Sequence, residues 1–181
     1  MKMDDDNISY RTANQSDAES IKSILLNTFE EYAIDLPDSY SFSDIDDIGN
    51  CYFGQDGEFL VLSREGRVIG FVGLLPIDST RIELKRLYLV RDERGKGLGK
   101  YLLSMALNFS REKGYQTIQL ETSSKFREAV ALYEKNGFVD NVKADKTDVH
   151  DVALFKPLEP GFYEMKKQAH SLKTAGNIKT G

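Results

Sequence analysis

Apolar residues recur along this chain with two different periods, and the switches between them lay out its elements. Ile8 to Thr12 reads as a first strand. Ser16-Asp17-Ala18-Glu19 has capping-box spacing, so a helix is expected from there, burying Ile21, Ile24 and Leu25 and ending near Tyr32, ahead of Pro37. Residues 33–57 carry the weakest pattern; a short helix from Ser43 and a loop through Gly49 and Gly54 are expected. Glu58 to Ser63 and Val68 to Leu75 are apolar runs joined by Arg64-Glu65-Gly66-Arg67, a hairpin signal. A strand over Glu83 to Val90 follows. Beyond it Leu98, Tyr101, Leu102, Met105, Ala106 and Phe109 recur at helical spacing, and Gly114 closes that helix.

Thr117 to Thr122 alternates as a strand, and Phe126, Ala129, Val130 and Tyr133 share one face of a helix over 126–135 that Asn136-Gly137 ends. Phe138 to Val142 and Val152 to Phe155 read as the last strands. This order is that of an α/β protein with a mixed sheet. Residues 1–158 are expected to form one domain and 159–181 a tail, with a short helix over 161–172 and a flexible end from Thr174.

Composition narrows the chemistry. The chain of 181 residues is long enough for one domain with a sizeable core, and its 40% apolar and 29% charged content is that of an ordinary globular protein. Cys51 is the only cysteine, and His150 and His170 are the only histidines, so neither a disulfide nor a metal centre is expected. The N-terminus lacks the apolar core of a signal peptide and no run reaches membrane-spanning length, so the expected location is cytoplasmic, with no membrane partner. Charge is unevenly spread. Residues 23–63 hold no Lys or Arg and nine acids, whereas 84–127 hold ten basic residues against four acidic ones. A basic core suits an anionic ligand; the acidic flank suits a cationic partner or is a solvated face. An acidic overall balance of −5 and the lack of an aromatic-interleaved basic stripe argue against nucleic acid as a partner.

The basic core centres on Arg94-Gly95-Lys96-Gly97-Leu98-Gly99-Lys100, between a strand and a helix. Backbone N–H groups of a first helical turn lack intrahelical partners and sit at the positive end of the dipole, so a glycine turn here can hold phosphate. Arg94, Lys96 and Lys100 add mobile positive charge. A P-loop is excluded because no Ser or Thr follows Gly97-Leu98-Gly99-Lys100, and a dinucleotide fingerprint because Lys100 stands where its third glycine belongs.

What fits is Arg/Gln-x-x-Gly-x-Gly/Ala, read here from Arg94 to Gly99, and in this the chain resembles the GNAT superfamily of acetyl-CoA-dependent N-acetyltransferases. Glu83-Leu84-Lys85-Arg86-Leu87-Tyr88-Leu89 before it and Ala129-x-x-Leu132-Tyr133-Glu134-Lys135-x-Gly137-Phe138 after it match the same family in order. The resemblance implies a mixed, mostly antiparallel central sheet flanked by helices on both faces. It also implies acetyl-CoA as cosubstrate, no metal, and a primary amine of a small molecule or peptide as acceptor. The oligomeric state is left open, a homodimer included.

By the same resemblance, the backbone of Leu87, Tyr88 and Leu89 would pair with the pantetheine arm. Gly95, Lys96, Gly97, Leu98, Gly99 and Lys100, with Arg94, would cradle the pyrophosphate. Glu83 stands where some relatives place a general base; otherwise it is an exposed strand carboxylate paired with Arg81 or Lys85. Tyr133 matches the tyrosine that many relatives use beside the CoA sulfur; otherwise it is a half-buried aromatic on an amphipathic face. Many relatives carry Asn where this chain has Phe126, so that contact is lost or supplied by Ser123 or Ser124. An amine acetyltransferase needs both Glu83 and Tyr133, whereas a non-catalytic acyl-CoA-binding module needs only the glycine turn.

Overall fold

A computed structural model describes residues 7–142 and 150–159. Its centre is a seven-stranded sheet in the order β1-β2-β3-β4-β5-β7-β6, formed by β1 (Ile8–Thr12), β2 (Glu58–Arg64), β3 (Arg67–Pro76), β4 (Arg81–Leu89), β5 (Thr117–Thr122), β6 (Val139–Asp140) and β7 (Val152–Pro157). All neighbours are antiparallel except β4 and β5. The mixed, mostly antiparallel sheet expected from the sequence is therefore present. Helix α4 (Leu98–Glu112) covers one face, burying Leu98, Leu102, Leu103, Ala106 and Leu107 against Ile82, Leu84 and Ile118. Helices α1 (Ala18–Glu31), α2 (Ser43–Asp46) and α3 (Ile48–Cys51) cover the other, where Ile21, Leu25, Ile45 and Ile48 meet Phe59, Val61 and Phe71. Each such fully buried side chain contributes about 1.5–3 kcal/mol, so these stripes fix which face each helix presents. Helix α5 (Arg127–Lys135) follows β5 and buries Tyr133 among the α4-side residues.

Two irregularities of the sheet prepare the site. The first is the β4–β5 pair, whose parallel register covers only Arg81–Thr117, Ile82–Ile118 and Glu83–Gln119. Beyond Glu83 the two strands part, and the β5-facing edge of Leu87, Tyr88 and Leu89 is left without a strand partner. The second is a β-bulge at Lys85: Gly73 pairs with Arg86 and Leu74 with Leu84, so Lys85 opposes no residue of β3. A bulge shifts the side-chain alternation by one residue. Before it, Ile82 and Leu84 face α4; after it, Leu87 and Leu89 do, while Tyr88 joins the opposite core.

Some elements differ from the expected ones. The capping box lies two residues early: Asn14 accepts from Ser16 N–H at 2.9 Å, and Asp17 accepts from Asn14 N–H at 2.9 Å. Arg11 forks onto Asp17 through two bonds of 2.7 Å, which draws this carboxylate into a 3-10 turn ahead of α1. Burial opposes its charge, but that fork still holds the Asp17 carboxyl below the usual carboxylate range. Gly49 lies in α3 rather than in a loop. The strand expected over 138–142 shrinks to Val139–Asp140, an edge strand whose Val139 is 51% exposed; beyond it a single bond, from Asn141 N–H to the Ala153 carbonyl at 2.8 Å, continues the pairing with β7. The tail expected from 159 onward lies, beyond Glu159, outside the described residues.

Candidate active site

The parting of β4 and β5 opens a cleft of about 300 Å³ that runs from the glycine turn to Tyr133. Leu87, Tyr88 and Leu89 form one wall, Ala129, Leu132 and Tyr133 of α5 another, and Arg94, Gly95, Gly97, Gly99 and Lys100 close the end. Gly95 and Gly97 have φ of +74° and +84°, a region that side chains with a Cβ disfavour. A Cβ built at either would meet nothing within 4 Å, so the backbone is open to approach at both positions. Gly97 is also the N-cap of α4 and no side chain caps that end, which leaves its first-turn N–H groups available. The turn therefore fits a pyrophosphate.

The charged residues of this turn behave differently from one another. Arg94 is already engaged: its Nε donates to the Leu89 carbonyl at 3.1 Å, and its Nη1 to Glu31 at 3.0 Å and to the Tyr32 hydroxyl at 3.3 Å. Lys96 points out of the cleft to Glu93 at 3.2 Å, and Glu93 is itself forked by Arg64 at 2.9 and 3.1 Å. Lys96 thus pins the outer side of the turn instead of adding mobile charge within it. Leu98 is a core residue and can offer only backbone. Lys100 lines the cleft, and no described residue pairs with its ammonium group.

A second cleft of about 800 Å³ meets the first. Segment 35–44 supplies Asp35, Tyr40, Ser43 and Asp44, while β4 supplies Glu83 and Arg86. The two clefts share Lys85, Tyr88, Glu121, Thr122 and Phe126. Glu83 borders only the second cleft, and its carboxylate lies 3.9 Å from Lys85 Nζ, whereas Arg81 pairs with Asp78 instead. Sequence reasoning passed over Glu121, which is the carboxylate that borders both clefts. It stands on the outward-alternating side of β5, its side chain 41% exposed and 4.0 Å from His150. The one signal for it in the sequence was the alternation of Gln119 and Glu121 with Ile118 and Leu120.

Tyr133 is not half-buried but only 4% exposed, with its ring 5.6 Å from that of Phe138. No described residue hydrogen-bonds its hydroxyl, and it lines the cleft. Burial, with a smaller contribution from Tyr88, pushes its phenol well above the ordinary value, so it is a neutral proton donor at pH 7. Phe126, 9% exposed, offers no polar contact; it packs among Tyr32 at 4.9 Å, Phe29 at 6.2 Å and Tyr88 at 6.2 Å, at the junction of the clefts. Ser124 is held by Asp151 through two bonds of 2.6 Å, and Ser123 accepts from Lys125 N–H at 3.3 Å. Neither serine is among the residues that line the two clefts.

A splayed sheet with a glycine turn at one end of its cleft and a buried tyrosine at the other has the shape to take an extended, phosphate-bearing ligand between two strands. The Acetyltransferase (GNAT) family matches residues 21–138, and the chain belongs to that family. It is 32% identical to the uncharacterized N-acetyltransferase YjgM of Escherichia coli (strain K12) over 71% of this chain and 80% of that protein. It is 36% identical to human N-acetyltransferase 8B over 53% of this chain, and there it spans 45% of that protein's length. Among solved structures, a GNAT-family acetyltransferase from Staphylococcus aureus Mu50 superposes with a TM-score of 0.78 at 24% identity, covering 84% of this chain and 99% of that one. The PaiA N-acetyltransferase of Thermoplasma acidophilum, solved in complex with coenzyme A, superposes with a TM-score of 0.67 at 25% identity, covering 83% and 98%. Among the described residues no helix is long and apolar enough to cross a membrane.

Proposed function

We propose that this protein transfers an acetyl group from acetyl-CoA to a primary amine of a small molecule or peptide, by direct attack within a ternary complex. The observation that carries this reading is the meeting of two clefts at Tyr88, Glu121 and Phe126. A module that only binds acyl-CoA needs the first cleft; the second gives an acceptor its own approach to the thioester end. Acetyl-CoA supplies the activated carbonyl, and the unpartnered edge of Leu87–Leu89 offers backbone groups to hold the pantetheine arm and polarise that carbonyl.

The acceptor must lose a proton. An alkyl ammonium has a pKa near ~10.4, so the neutral amine costs about 4–5 kcal/mol at pH 7. Glu83 was the expected base, yet it borders only the acceptor cleft. The geometry favours Glu121, directly or through one water, because it reaches the junction. Glu121 takes the ammonium proton and releases it to solvent; as the C–N bond forms and the C–S bond breaks, the second amine proton goes to the same carboxylate. The leaving thiolate is stabilised by the Tyr133 hydroxyl. With a thiol near ~8.5 and a phenol already near ~10 before burial, full transfer from Tyr133 is uphill by more than roughly 2 kcal/mol, so a hydrogen bond is its main contribution. Residues 1–158 form the catalytic domain in this reading, and its location is cytoplasmic, which cell fractionation would check. The deciding experiment mixes the protein and acetyl-CoA with a panel of amines and short peptides, following free thiol and product mass. Amine-dependent thiol release with an acetylated product is expected; acetyl-CoA binding without transfer to any amine would favour the binding-module reading.

A further inference from the structure

Arg86 sits inside the fold, its side chain 9% exposed, because the bulge at Lys85 turns it toward α1–α3. There it is fully engaged. Nε and Nη2 donate to the two Asp44 oxygens at 3.0 and 2.9 Å, and Nη1 donates to the Tyr40 hydroxyl oxygen at 2.7 Å. Tyr52 donates its own hydroxyl to Asp44 at 2.7 Å. One strand residue is thereby tied to Tyr40 and, through Asp44, to Tyr52, across the whole segment that walls the second cleft. Gly73 permits the last of these contacts, since a Cβ there would come within 2.9 Å of the Tyr52 ring.

Such a buried pair is seldom a net gain over apolar packing, so stability alone does not account for it. Its planar fork sets direction. The donor inventory then gives Tyr40 a task. Its oxygen accepts from Arg86, its ring is fixed edge-on against Phe29 at 5.6 Å and Phe42 at 5.1 Å, and no described residue accepts its proton. It lines the second cleft beside Tyr88 and Phe126. A phenol that accepts from a guanidinium is a strengthened donor toward a third group.

We propose that Tyr40 is a specificity-determining residue that donates to a carbonyl or carboxylate oxygen of the acceptor, and that Arg86 and Asp44 are positioning residues that aim it. The preferred acceptor is then an amine carrying such an oxygen next to an apolar body, not a bare alkyl amine. This rests on the acetyl-transfer reading. Paired probes test it: phenylalaninamide against phenethylamine, and glycinamide against ethylamine, each with acetyl-CoA. The wild type should favour the carbonyl-bearing member. Tyr40→Phe should lower kcat/KM for that member about tenfold more than for the bare amine, mostly through its KM, with the KM for acetyl-CoA unaltered. Because Asp44→Ala is liable to unfold the chain, the paired change Arg86→Met with Asp44→Leu serves as the folded control. It should keep the acetyl-CoA-dependent thermal shift and lose the preference. With kcat/KM counted per neutral amine, because the amides are the weaker bases, equal use of both members by the wild type, or a preference undiminished in either variant, would overturn the proposal. No transfer to any amine despite a normal acetyl-CoA shift would instead overturn the transfer reading on which it stands.

Discussion

The glycine turn with its neighbouring strand edge and the segment over 33–57 lie on opposite sides of one junction, yet they are built by different means. The first is made of backbone. Two positive-φ glycines, an uncapped helix start and an unpartnered strand edge create it, all within 83–99. The second is made of side chains reaching across long separations: Arg86 to Asp44 spans 42 positions, and Arg86 to Tyr40 spans 46. A site of backbone geometry suits a ligand whose recognised part is constant. A wall of side chains can be respecified without disturbing it.

The largest effect expected on this contrast comes from Gly97→Glu. It forces a disfavoured φ and sets a carboxylate where phosphate belongs, so calorimetric titration should show acetyl-CoA binding abolished; retained affinity would mean the turn is not the cradle. Next comes the base. Glu121→Gln should lower kcat/KM by roughly 100-fold or more at neutral pH, with the deficit shrinking as pH nears the acceptor's own pKa, while Glu83→Gln should cost far less. The reverse ranking would return the role to Glu83 and confine Glu121 to shape. Tyr133→Phe should follow, cutting turnover by about 10- to 100-fold with little change in acetyl-CoA affinity, since only a hydroxyl is lost from a packed ring. Unaltered turnover in stopped-flow and steady-state assays would reduce Tyr133 to a core residue.

The smallest effect concerns acid. Burial works against the Asp44 charge, but the Arg86 fork outweighs it and holds this carboxyl below its usual range. A depressed folded-state pKa contributes stability that is complete above the unfolded value, near ~3.9, and lost as pH falls through the folded one. Near-ultraviolet circular dichroism of the Tyr40 and Tyr52 environment should therefore hold down to about pH 4 and collapse below it. In the Arg86→Met/Asp44→Leu protein that acid limb should be shallower.

Much of this was legible in the chain itself. The hairpin of β2 and β3, the start of α4 at the glycines, and α5 with Tyr133 on its inner face all follow from local periodicity and turn chemistry, because their determinants lie within a few residues of one another. The family relationship was readable for the same reason: Arg94 to Gly99 and Leu132-Tyr133 encode backbone shape and one packed face. What local pattern could not give was parity. Lys85 does not announce itself as a bulge, so nothing in Leu84-Lys85-Arg86-Leu87 says that Glu83 and Arg86 fall on the same face of β4, both bordering the second cleft. Nor could it show that Glu121 borders both clefts and Glu83 only one, or that Lys96 is taken by Glu93. The amino-acid sequence by itself determined the elements, the anion turn and the protonated tyrosine, which depend on short-range sterics and amphipathic spacing. The tertiary structure alone decided which carboxylate stands at the junction and which tyrosine lines the second cleft. Those are outcomes of strand divergence and long-range pairing, set by how β4, β5 and the α2–α3 segment pack together.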